Sequence, residues 1–179
     1  MGVRRGTAPV LDPVEDLLRA PEKLRAEDLP TIARLFEHGQ LSDEDDIDRV
    51  ARGVLAPMIE HARDRREVAH AIAGWRGATT PAQRRAACLA FVAHVAEYSE
   101  LAFSICADVV WSPDPTDHLA VAELLAALAA VVPARTEAFV RRHAHLMSRT
   151  CVRKAVATLR ARDELLAHHR RATTITPKP

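Results

Sequence analysis

His118–Val132 reads HLAVAELLAALAAVV, and the fold turns on this stretch. Apolar side chains occupy nearly every side of a 3.6-residue repeat, with Glu123 the one charge inside it. That pattern predicts a helix surrounded by other elements rather than one lying on a surface. The alternation of period two that marks a half-buried strand is missing. The run also falls short of the ~20 apolar residues a bilayer crossing needs, so no membrane is expected.

Working outward, Trp111-Ser112-Pro113-Asp114-Pro115-Thr116-Asp117 is the clearest loop of the chain. Upstream of it, Thr80-Pro81-Ala82-Gln83 has the grammar of a helix start. Cys88, Leu89, Val92, Val95, Ala96, Ala102, Phe103, Cys106, Val109 and Val110 then recur at helical spacing. The expectation is one helix over 81–111, ~45 Å long at ~1.5 Å per residue. Ser42-Asp43-Glu44-Asp45 caps an earlier helix carrying Ile47, Val50, Val54, Leu55 and Ile59, kinked at Pro57 and resuming through Val68 and Ile72. Gly74-Trp75-Arg76-Gly77 closes it. Two short helices precede it: 13–19, opened by Asp12-Pro13, and 30–38, closed by Gly39.

Downstream, Pro133 reads as a turn into a last helix reaching about residue 172. Its stripe is Phe139, Leu146, Met147, Cys151, Ala155, Leu159, Leu165 and Leu166, over ~55 Å if unbroken. The expected fold is all-α: an antiparallel bundle of about four long helices plus two or three short N-terminal ones. Residues 1–11 read as a flexible arm, 12–172 as one helical domain and 173–179 as a flexible tail.

Composition agrees. The 179 residues include 33 Ala, 18 Leu and 22 Arg against 3 Lys, a bias towards helix. Only 6 Gly are present, which leaves no glycine-rich loop to cradle a phosphate, and no G-x-S-x-G nucleophile elbow occurs. Cys88, Cys106 and Cys151 are odd in number and widely spaced, unlike a disulfide framework or a zinc knuckle. With no apolar run after Arg4 and Arg5 to suggest a secretory leader, a reducing, cytoplasmic setting is expected.

Charge is uneven. The net value is +1, yet residues 133–179 alone carry +8. Arg141, Arg142, Arg149, Arg153, Lys154 and Arg160 form the candidate binding set, on a basic terminal helix suited to nucleic acid or an acidic protein partner. The competing arrangement pairs these cations with the acidic Asp43–Asp48 segment. A helix-turn-helix over 30–52 is excluded, because that same acidic run would face the phosphates.

For catalysis and metals the pattern is thinner. Glu67-Val68-Ala69-His70 puts a carboxylate and an imidazole on one helical face, as in di-iron bundles. His94 and Glu97 stand in the reverse order, and Glu123 is a further potential ligand, but a second forward motif is missing. His143 and His145 point about 200° apart on a helix and do not chelate one ion. No cofactor is expected.

Arg162-Asp163-Glu164-Leu165-Leu166-Ala167-His168 resembles the arginine-to-histidine motif of the HEPN family, helical proteins that include metal-independent RNases. The resemblance implies that Arg162 stabilises phosphate charge and His168 acts as general acid and base, in a cleft between two protomers. Arg65 and His70 meet the same loose spacing, and His169 stands where that family often has Tyr. The leading expectation is therefore a non-enzymatic binding, regulatory or adaptor protein, forming a homo-oligomer and using its basic terminal helix. An RNase through Arg162 and His168, and a metal protein through Glu67 and His70, are the alternatives.

Overall fold

The computed structural model describes residues 13–175, and among them every regular element is helical. The expected N-terminal arm, the Asp12 cap and residues 176–179 of the tail lie outside that range. The all-α class holds; the lengths of the helices do not. The longest described helix has 17 residues, so the bundle of long rods is replaced by a row of shorter pieces.

Helix α1 (Pro13–Arg19), α2 (Leu29–Glu37) and α3 (Glu44–Val50) follow the sequence closely. Gly39 closes α2 at φ +70°, a left-handed conformation that costs glycine nothing. The Asp43 carboxylate caps α3 by accepting from the Asp45 N–H at 2.9 Å. Past Val50 the chain makes a π-helical turn, Ala51–Leu55, and enters α4 (Ala56–His61). Ala56 N–H reaches back five residues to the Ala51 carbonyl, just before Pro57, which has no N–H to give.

Pro57 is thus absorbed without a break, and the break falls later. Ala62 turns extended, with ψ 146°, and Asp64 caps α5 (Arg65–Gly74) by accepting from Glu67 N–H at 2.9 Å. Asp64 and Glu67 have the three-residue spacing of a capping pair, but apolar periodicity runs on across them and hides this start in the sequence.

The expected rod over 81–111 is two helices, α6 (Pro81–Phe91) and α7 (Ser99–Val109), folded back on each other through a short 3-10 turn. His94 in that turn is buried, its Nε2 2.9 Å from the carbonyl of Ala56, a long-range tie no local pattern announces. Helix α8 (Pro115–Val131) buries Ala120, Val121, Ala122, Leu124, Leu125, Leu128 and Ala129, as its composition requires. Pro133 is a turn. The last stretch is then three helices: α9 (Pro133–His143), α10 (Arg149–Ala155) and α11 (Arg162–Ile175). Ser148 caps α10 by accepting from Cys151 N–H at 3.1 Å, and α11 runs through Thr173 and Thr174, which were expected in the tail.

These pieces pack as two layers. Helices α3, α6, α8 and α10 lie side by side in that order. Helix α5 lies against α6 and α7, while α7 backs α6 and α8, α9 backs α8, and α11 backs α9 and α10. Alternation along the chain between the layers gives antiparallel pairs stacked in a row, each burying its apolar stripe against its neighbours. One consequence matters for function: α3, α8 and α10 share an outer layer, and charged residues far apart in the chain meet there.

Candidate nucleic-acid interface

Glu123 is the single charge within the apolar run of α8, about three quarters buried on the layer's exposed side. From α10, Lys154 Nζ donates to its Oε1 at 2.7 Å; from the π-helical turn, Arg52 Nη2 donates to its Oε2. Burial alone would raise the Glu123 pKa. Hydrogen bonds from Lys154 and Arg52, and their charges, outweigh it and hold the carboxyl below the ordinary glutamate value. A fixed anion on α8 therefore sits between two cations, one from α10 and one from the π-helical turn.

The acidic segment before it serves its own neighbours. Asp48 accepts from Arg85 Nε at 2.8 Å, with Glu44 3.5 Å from the same guanidinium, while Arg49 bridges Glu15 at 2.6 Å and Asp46 at 3.3 Å. None of the C-terminal cations pairs with residues 43–48 among the described residues.

The six candidate binding residues divide accordingly, and they belong to two helices and a turn instead of one long helix. Arg141, on α9, pairs with Glu164 of α11 at 3.0 Å, and Lys154 with Glu123. Arg142, Arg149, Arg153 and Arg160 are exposed and, among the described residues, make no ion pair. Arg149 and Arg153 stand four apart on α10 and share a face, with Lys154 next to them. The Glu123 carboxylate on α8 and the unpaired Arg149 and Arg153 on α10 thus stand on neighbouring helices, whereas Arg142 belongs to α9 and Arg160 to the turn after α10.

At the N-terminal edge of the same two helices stands Trp111, 65% exposed. Its indole meets the His145 ring edge-on, centroids 6.4 Å apart. Asp114 caps α8, its Oδ1 accepting from Thr116 N–H at 2.8 Å, and Asp117 one turn on is fully buried against Arg84.

The remaining candidates are occupied elsewhere. His168 Nε2 lies 3.1 Å from the Arg141 carbonyl, while Arg162 projects into solvent from the first turn of α11. The two side chains, six residues apart, stand about 120° apart around the helix and do not converge. Glu67 and His70 are exposed on α5, and no group of three His, Cys, Asp or Glu positioned for a metal ion occurs among the described residues. Glu97 pairs with Arg65 at 2.6 Å, and His143 stacks on Phe139. All three cysteines are buried, and burial drives their thiols up, Cys151 to about 12 and Cys88 and Cys106 well above the normal range.

In the sequence Glu123 stands out as the one charge of an apolar run and as a potential metal ligand, while Arg52, Arg84 and Asp117 carry no functional signal of their own. A lone carboxylate in an apolar helix was the available signal for the first of these; the others depend on contacts across the fold.

Comparison with known proteins gives one finding. The family described as DNA alkylation repair enzyme matches residues 15–159, which is α1 through the turn after α10. No curated protein and no solved structure matches. The family match overturns the expected non-enzymatic binding, regulatory or adaptor protein, and with it the RNase and metal-protein alternatives. Arg162 and His168 fall outside the matched residues altogether.

Proposed function

Since this chain belongs to the DNA alkylation repair enzyme family, we propose that it binds DNA along α8 and α10 and breaks the glycosidic bond of an alkylated base, with Glu123 as the reacting carboxylate. The observation that carries this is the Glu123 anion fixed between Arg52 and Lys154, next to a helix, α10, whose exposed Arg149 and Arg153 make no ion pair among the described residues. Exposed guanidinium groups suit phosphate contacts, which hold a duplex in place without reading its sequence.

Alkylation at a purine ring nitrogen makes the base cationic. Breaking its bond to C1′ releases it neutral and moves positive charge to the sugar. A carboxylate held anionic opposite that sugar stabilises the charge as it develops. Water then adds at C1′, and Glu123 takes the proton that the water sheds. Alkyl transfer to protein has less support, because the three thiols are buried and far from the thiolate state. A reducing cytoplasmic location is consistent with those free thiols. The test is release of free alkylated base from methylated duplex DNA by the full chain, with binding followed in parallel.

A further inference from the structure

Trp111 is more exposed than the other two exposed large apolar side chains among the described residues, Val131 at 45% and Leu119 at 38%. An indole left in water calls for a reason, and the loop that carries it is far from slack. Arg84, mostly buried, donates from Nη1 to the carbonyls of Ala78 at 2.7 Å and Thr79 at 3.0 Å. Its Nε and Nη2 both reach Asp117 Oδ2, at 2.9 and 2.7 Å, and Nη2 also reaches Ser112 Oγ at 3.4 Å. Ser112 Oγ accepts in addition from Asp114 N–H at 3.1 Å, and the Ser112 carbonyl lies 2.8 Å from His118 Nε2. One guanidinium thus ties the start of α6 to the loop and to the first turn of α8, and the residue next to Ser112 is the bare indole.

A second observation points the same way. Asp117 is fully buried, yet its Oδ1 has no hydrogen-bond partner, and neither has the buried Nδ1 of His118. Leaving a buried carboxylate oxygen unsatisfied is costly, and such a cost is kept where it fixes geometry. What is fixed here is the direction of Trp111. A rigid, solvent-facing aromatic ring beside a basic surface is what stacking on a nucleobase needs.

The position separates it from the chemistry. Glu123 lies eight residues beyond Pro115, roughly 12 Å along the axis at ~1.5 Å per residue, or about four steps of a DNA strand at ~3.4 Å. We propose that Trp111, presented by the Arg84–Asp117 clamp, is a second DNA contact that stacks on a base several steps from the nucleotide facing Glu123. Arg84 is a positioning residue in this arrangement. The inference rests on the DNA-binding reading given above.

The experiment uses the full chain in a Trp75→Phe background, so that Trp111 is the sole indole, titrated with a methylated duplex. Expected are quenching of Trp111 fluorescence on binding and a loss of affinity of about 5- to 160-fold in Trp111→Ala, the range found for one base stack. Trp111→Phe should retain most of the affinity. Arg84→Lys, with Ser112→Ala as the milder variant, should weaken the quenching while the dependence of binding on salt stays as in wild type. No quenching, together with wild-type affinity in Trp111→Ala, overturns the proposal. If wild type binds and Arg149→Ala/Arg153→Ala weakens it while Trp111→Ala is neutral, only this inference fails; if wild type does not bind DNA, the broader reading fails with it.

Discussion

Arg84 and Asp117 meet through a single oxygen. Nε and Nη2 of the arginine both donate to Oδ2, at 2.9 and 2.7 Å, and Oδ1 of the fully buried carboxylate is left over. The pair joins α6 to α8, the most closely packed helices of the outer layer along with α8 and α10.

Removing both partners should therefore cost less than the two single losses added together. Arg84→Ala strands a buried anion and is expected to cost about 3–5 kcal/mol in urea unfolding. The double variant Arg84→Ala/Asp117→Ala should cost less than the sum of the two single changes. Additive losses would show that the contact is not an energetic unit.

Acid should destabilise the fold below about pH 4. Hydrogen bonds to Thr116 lower the Asp114 pKa, and Lys154 and Arg52 lower that of Glu123 against the effect of burial. A carboxyl whose folded value lies below its unfolded value adds stability above the unfolded value, near ~4, and loses it as pH falls through the folded one. Unfolding free energies measured between pH 7 and pH 3 should fall at the acid end. The fall should be shallower in Glu123→Gln.

Binding should respond to salt in proportion to the unpaired arginines. Each phosphate neutralised adds about 0.9 to the slope of log K against log salt, so Arg149→Ala/Arg153→Ala should reduce that slope by about 1.8. Lys23→Ala, a change on the exposed 3-10 turn before α2, is the control and should leave the slope alone.

The thiols give a separate check. Cys88, Cys106 and Cys151 are buried and held protonated by burial, so a thiol reagent should modify none of them in the native protein and all three after unfolding. Base release should survive reagent treatment of the native protein. Its loss, with a modified cysteine, would point to thiol chemistry instead.

The helical class, the helix starts at Asp43 and Thr80 and the turns at Gly39 and Pro133 were legible through local rules that act over a few residues, whereas α8 opens at Pro115, inside the stretch 111–117 expected as loop. The sequence concealed the breaks at Ala62 and after His94, since apolar spacing continues across them and only long-range contacts, such as His94 to the Ala56 carbonyl, decide where the chain turns. Continuous periodicity in an alanine-rich chain suits one long helix and two short ones equally well. The site was harder still. The +8 segment stands out, and four of the six candidate cations face solvent with no ion pair among the described residues, but Glu123 draws its meaning from Arg52 and Lys154, 71 and 31 residues away.

The most direct test is release of alkylated base from methylated duplex DNA by wild type and Glu123→Gln under single-turnover conditions, with binding measured on the same samples. The account predicts release by wild type, a loss of 100-fold or more (on the order expected for one electrostatic catalytic group) in the variant, and little change in DNA affinity. Equal rates in the two proteins would contradict it.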